Sequence, residues 1–223
     1  MEILSLKNII KMTTKVHLKK GYTSIYEFSW EDYYIYMLVH LAKHIKLGGS
    51  GIRSIIDIKI FLDKKKEELN WDYVKEELKK LHLSQFEYWM RQLSEVWFGT
   101  EKTTPLYDEL TEFIVDSGTY GTIKNYHASH VVELGGKNQN LSVGKIRSKL
   151  EIIFLPYEGM QEQYLYLEKF PFLLPVAWIQ RIFRTIVWRK DKITSTLQST
   201  NIEQDRLEKV KKVMDALELF ESD

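Results

Sequence analysis

Apolar residues recur every three or four positions along most of the chain, and this spacing constrains the fold more than any other feature. A period near 3.6 residues is that of one face of an α-helix. Helix-capping residues precede several of these segments, and Pro105 follows a cap at a first helical position, where its missing N–H costs nothing. The caps are Ser29, Asn70, Ser84 and Thr104. The pattern predicts an all-α fold, a multi-helix bundle of about eight helices with at most a short strand near 130–134.

One stretch interrupts the helical pattern. Residues 118–143 hold two clusters of glycine and polar residues, which are typical of turns and loops. We therefore expect an N-terminal helical unit over 1–117, an irregular loop over 118–143 and a C-terminal helical unit over 144–223.

Composition excludes several classes of protein. The 223 residues include no cysteine, which rules out disulfide scaffolds, Cys-ligated zinc and thiol nucleophiles. The formal net charge is +1, so no nucleic-acid partner is predicted. The most apolar stretch, 170–188, is broken by prolines and arginines and is not expected to span a membrane. No export signal is recognisable, and the predicted location is cytoplasmic.

The segment from His40 to Asp57 carries the densest set of chemically useful side chains. His40 and His44 lie four residues apart and share a helix face, with Lys43 beside them. Glycines 48, 49 and 51 then reverse the chain, and Arg53 falls in the first turn of the next helix, where anions are favoured. One reading is a phosphate or carboxylate pocket in which the turn brings together His44, Lys46, the backbone amides of the loop and Arg53. The candidate phosphate-binding residues are Lys43, His44, Arg53 and Asp57.

The same residues also allow a purely structural reading. Gly48 can end one helix, Ser50 can cap the next, and the histidines can be partly buried in a helical hairpin. Arg53 and Asp57 can simply pair on the surface. Zinc is disfavoured because Leu41 stands where a metalloprotease helix has glutamate, although Asp57 could be a third ligand. No metal site is predicted in this chain.

Several stretches resemble a bacterial family of uncharacterised nucleotidyltransferases. The most specific is the run His-x-x-Lys-His…Gly-x-Gly-Ile-Arg…Asp over 40–57. Further similarity lies in 31–37, 70–74, 83–86, 97–99, 117–121, 154–157 and 174–179. The acidic pair of polymerase-β-like enzymes is not reproduced, because Lys59 stands at the second carboxylate position after Asp57.

The resemblance implies a role as one part of a larger activity. In that family a catalytic domain precedes the helical region, whereas only 28 residues precede Ser29 here. We therefore expect a helical accessory domain that closes over substrate, is inactive alone, and needs Mg²⁺ and a nucleoside triphosphate only when paired with a separately encoded catalytic domain. Lys43 and Arg53 would lie near phosphates, and His40 and His44 would orient or deprotonate an acceptor hydroxyl.

The alternative is a non-enzymatic helical protein-interaction module. Its docking surfaces would be the tyrosine-rich first helix and the helix from Trp178 to Trp188, which continues into Arg189 and Lys190. That second helix is basic and aromatic, a composition also found in membrane-surface helices. We expect its apolar residues to pack within the helical unit. The oligomeric state is left open by the sequence.

Overall fold

The computed structural model describes residues 16–119, 121–136, 140–188 and 202–219, without the side chains of 186–188. Regular structure within these residues is helical apart from one antiparallel pair of short strands, so the all-α prediction is confirmed. The strands are β1 (His17–Leu18) and β2 (Tyr26–Glu27). The α-helices are α1 (Trp30–Lys46), α2 (Ile52–Lys65), α3 (Trp71–Lys80), α4 (Ser84–Phe98), α5 (Pro105–Ser117), α6 (Ile123–Leu134), α7 (Leu141–Ile153), α8 (Tyr157–Gln161), α9 (Leu174–Trp188) and α10 (Gln204–Ala216). Two 3₁₀ turns, Leu165–Glu168 and Pro171–Leu173, lie between α8 and α9.

Local chemistry explains where several helices begin. Ser29 caps α1 by accepting a hydrogen bond from the N–H of Asp32, and Pro105 occupies the first position of α5. The predicted cap at Ser84 is wrong by one residue, because Ser84 is already helical and Leu83 precedes it.

The predicted strand near 130–134 is helical, and the predicted loop over 118–143 contains α6. Val131 and Val132 favour a strand locally. However, Asn125, Ala128, Ser129 and Val132 are buried at intervals of three, one and three residues, which is the spacing of one helix face. Burial of that face outweighs the local strand preference of the valines.

The chain forms two compact units, one made of 1–129 with 208–223 and the other of 130–207. The predicted limits of 1–117 and 144–223 stay a prediction. In the first unit α2 packs along α4, and α1 packs against α2, α3 and α4. Their apolar faces form the core, which includes Tyr34, Leu38, Ile55, Phe86, Met90 and Leu93.

The second unit has a smaller core. Met160, Leu167 and Ala177 form one cluster of fully buried residues there, and partly buried aromatic and leucine side chains surround them. The helix α7 approaches α6 closely at Gly144, where a Cβ would lie 2.0 Å from the carbonyl oxygen of Val131.

Only one face of α9 packs as the sequence predicts. Ala177 is fully buried, but Ile179 and Phe183 are 67% and 69% exposed. Arg189 and Lys190 lie outside the described residues, as does the side chain of Trp188. Among the helices described, none has the length and apolar character to cross a membrane.

Candidate functional site

The turn between α1 and α2 has the hydrogen-bond pattern of a Schellman motif. Gly49 N–H donates to the carbonyl of His44 at 2.9 Å, and Gly48 N–H donates to the carbonyl of Ile45 at 3.2 Å. Both glycines have positive φ, +120° at Gly48 and +116° at Gly49, which a residue with a Cβ rarely adopts. The predicted helix end at Gly48 is therefore present, and it turns the chain directly into α2.

This turn packs closely against the end of α5 and the residue that follows it. A Cβ on Gly49 would lie 2.0 Å from Ser117 Oγ, and one on Gly51 would lie 2.9 Å from the carbonyl oxygen of Gly118. Ser117 cannot easily move away, since it is buried, donates to the carbonyl of Phe113 and accepts from Asn125. The glycines thus allow two backbone segments to approach within contact distance.

The two histidines of α1 form a pair at the rim of the turn. His40 Nε2 and His44 Nε2 lie 3.0 Å apart, so one ring donates to the other. Tyr36 stacks on His40 from the preceding turn. Partial burial lowers the pKa of His40 below its usual value of 6.5, and the adjacent His44 and Lys43 lower the pKa further. The neutral form of His40, which can accept a proton, is favoured.

At the start of α2, the predicted cap is replaced by a different arrangement. Gly51 is the N-cap and no side chain caps the helix. The buried Ser50 instead bonds hydroxyl to hydroxyl with Ser54 at 2.8 Å. Arg53 extends from the first turn with 88% of its side chain exposed, and its Nε lies 3.7 Å from Asp57 Oδ2. The surface ion pair that the sequence allowed between Arg53 and Asp57 is therefore present.

These groups border one open cavity of about 420 Å³. Of the predicted site residues it is lined by His40, His44 and Arg53, while Lys43 and Asp57 lie close by but outside its lining. Another wall comes from the end of α5 and the two residues that follow it, which the pocket prediction did not include. Its residues are Ile114, Val115, Gly118 and Thr119. The signal for this wall was the Ser-Gly-Thr-Tyr-Gly run at 117–121. A Cβ on Gly121 would lie 2.8 Å from the carbonyl of Gly48, so this glycine permits the close approach.

Comparison with known proteins gives a family match over the part of the chain that carries α1 and α2 of this site. Residues 5–99 match the model of a family described as uncharacterised nucleotidyltransferase. The predicted family is confirmed over this segment. The match covers less than half of the chain, and the similar stretches at 117–121, 154–157 and 174–179 lie outside it. Searches of curated proteins and of solved structures gave no match.

Nucleotidyltransferase chemistry of the polymerase-β type uses paired carboxylates to hold two magnesium ions. The described residues that line the cavity include no carboxylate, and the nearby Asp57 is engaged by Arg53. Across the described ranges, no three or more His, Asp or Glu side chains are grouped to hold a metal. The side chains present do not fit a magnesium pair. That this chain supplies no metal site of its own stays a prediction.

Proposed function

We propose that this chain is the helical, substrate-closing part of a nucleotidyltransferase and that its cavity between α1, α2 and α5 binds the phosphate groups of a nucleotide. The observation that carries the proposal is that several groups able to bind an anion border one cavity. An imidazole pair, an exposed guanidinium and the start of a 14-residue helix border the same space. Its volume of about 420 Å³ is within the range of small-molecule sites.

The electrostatics at the start of α2 favour an anion. The positive end of the helix dipole lies there, no side chain caps the helix, and its first turn contains no acidic residue. The guanidinium of Arg53 can form two parallel hydrogen bonds to a phosphate, for which Asp57 would be the competing partner. Because the Arg53–Asp57 pair is mostly solvent-exposed and separated by 3.7 Å, exchanging it for a phosphate costs little.

The histidine pair suits a second role beside the phosphates. A general base must be neutral and within hydrogen-bond reach of the proton that it removes. Since the pKa of His40 is lowered, its imidazole is available as an acceptor at neutral pH. In this proposal His40 and His44 orient or deprotonate the acceptor hydroxyl. The carboxylates that hold Mg²⁺ for the transfer step come from a separately encoded catalytic domain.

Calorimetric titration of the chain with ATP, CTP, GTP and UTP in the presence of Mg²⁺ tests the binding step. We expect at least one nucleotide to bind, and Arg53→Ala to weaken that binding about tenfold, the loss of one charge-assisted contact. Arg53→Lys should recover only part of the affinity, because an ammonium cannot make the paired hydrogen bonds.

The matched control is Lys64→Ala, which removes one exposed cation from the last turn of the same helix. It should leave the affinity unchanged. If Lys64→Ala and Arg53→Ala weaken binding equally, the attraction is a general effect of charge and not a site. No heat from any nucleotide would contradict nucleotide binding by this chain and would confine it to a structural or partner-dependent role.

A further inference from the structure

The second compact unit carries an apolar stripe that its own core does not cover. Val176, Ile179 and Phe183 of α9 are 43%, 67% and 69% exposed. At 3.6 residues per turn, their spacing of three and four places them within a strip about 60° wide. Phe172, which is 74% exposed, lies in the 3₁₀ turn just before this helix. We call these four residues the α9 stripe.

The opposite side of α9 already satisfies the packing of its unit. Ala177 is buried with Met160 and Leu167, and Trp178 Nε1 donates to the carbonyl of Leu155 at 2.9 Å. Arg181 donates to the carbonyls of Ile152 and Ile153 at 2.9 Å each, near the negative end of the α7 dipole. These contacts fix the rotation of α9, so the stripe is held outward.

Within the segment that holds the stripe, the charged side chains have a single sign. Between Lys169 and Trp188 the sequence contains three cations and no carboxylate, and the nearest acid in sequence is Glu168. Lys169 and Arg184 are both exposed. A second copy of the chain seated on the stripe would bring cation against cation, whether the two helices ran parallel or antiparallel. A surface rich in negative charge would be attracted.

We propose that α9 is a peripheral membrane anchor that lays its stripe into the interface of an anionic lipid bilayer. Aromatic and aliphatic residues on one side of a helix, with basic residues beside them, are the features by which interfacial helices bind. The side chains of Phe172, Ile179 and Phe183 would enter the boundary between headgroups and acyl chains. Lys169 and Arg184 would contact lipid phosphates, since long cationic side chains extend toward headgroups.

The absence of cysteine from the sequence allows a direct test in the full chain. Ile179→Cys, labelled with an environment-sensitive fluorophore, is mixed with vesicles of phosphatidylcholine alone or with 30 mol% phosphatidylglycerol. We expect a blue shift of the label on the anionic vesicles and little change on the neutral ones. Ile123→Cys, at a position 75% exposed in the other unit, is the matched control and should show no shift.

Vesicle co-sedimentation with unlabelled variants separates the apolar and ionic contributions. Ile179→Asp and Phe183→Asp should each reduce binding to anionic vesicles about tenfold or more, because each replaces a large apolar side chain that would enter the interface with a carboxylate. Arg184→Gln should reduce that binding less and should not alter the weak binding to neutral vesicles. Circular dichroism spectra equal to that of the parent protein would show that each variant is folded.

Three results would overturn the proposal. The first is that the parent chain binds neither vesicle type, or binds neutral and anionic vesicles equally well. The second is a label at position 179 that is already blue-shifted before lipid is added, which would mean that protein covers the stripe. The third is a concentration-dependent dimer in analytical ultracentrifugation that Ile179→Asp abolishes, which would assign the stripe to a second copy.

Discussion

The pKa of His40, which lines the candidate site, depends on its neighbours in α1. His40 and His44 share a hydrogen bond between their Nε2 atoms, and burial together with the neighbouring His44 lowers the pKa of His40. Lys43, one residue before His44, adds a positive charge near His40. Lys43 is therefore one cause of the lowered pKa of His40, and mutation can remove its charge.

Lys43→Ala is predicted to raise the pKa of His40 toward 6.5, because one of the charges that disfavour its protonated form is lost. Proton NMR titration of the histidine ring signals measures this pKa. Lys46→Ala removes a cation from the same last turn of α1 that is not among the causes of the shift, and it should leave the pKa of His40 unchanged. Equal effects of the two variants would contradict the assigned cause.

The same shift has a consequence for stability. A histidine whose pKa is lowered on folding binds fewer protons in the folded state than in the unfolded state. Its stabilising contribution is present above pH 6.5 and is lost as the pH falls through the folded pKa. The melting temperature of the parent protein should thus fall more steeply below pH 6.5 than that of His40→Gln.

The turn between α1 and α2 shows how two helices can be joined only by particular residues. Gly48 and Gly49 supply positive φ, which a C-terminal helix signal already predicts from sequence. The local pattern does not show which residues pack against this turn, among them Ser117, Thr122 and Tyr126. Thr122 N–H donates to the carbonyl of Gly48 at 3.2 Å, and a Cβ on Gly48 would lie 2.9 Å from the backbone nitrogen of Tyr126.

Gly49→Ala is predicted to lower the free energy of unfolding by about 2–4 kcal/mol, combining an unfavourable positive φ with a collision at Ser117. Urea denaturation measures the loss. The control is Gly21→Ala, where φ is +85° but a Cβ would meet nothing within 4 Å. A loss at Gly49 no larger than that at Gly21 would mean that Ser117 moves aside without cost.

At the scale of the whole molecule, the last described helix returns to the first compact unit. Val210, Val213 and Met214 of α10 are buried. Lys209 pairs with Glu112 of α5 at 2.9 Å, and Lys212 pairs with Glu109 one turn earlier. The helix itself was predictable from its apolar period over 202–220, although its observed end at Ala216 is earlier and Phe220 lies outside the described residues. Its partner was not predictable, because the contact joins residues about a hundred positions apart.

Met214→Ala is predicted to destabilise the protein by about 2–5 kcal/mol, since Met214 is fully buried and its truncation leaves a cavity. Hydrogen–deuterium exchange followed by mass spectrometry should show faster exchange in α5, which pairs with α10, and no change in α9. Asp215→Ala alters an exposed neighbour on the same helix and should change stability by less than about 0.5 kcal/mol. Equal exchange in α5 of the two variants would contradict this packing.

The sequence by itself determined the helical class, most helix starts and the His40–Asp57 segment, because each depends on spacing within a few turns of chain. Its resemblance to a known family also indicated the family that matches residues 5–99. Only the tertiary structure decided that 130–134 is helical, that Gly118 and Thr119 complete the cavity, that Lys43 and Asp57 lie outside its lining, and that one face of α9 is exposed. Each of these depends on which distant segment packs where. Local periodicity shows that a residue has an apolar face to cover, but it does not show what covers it.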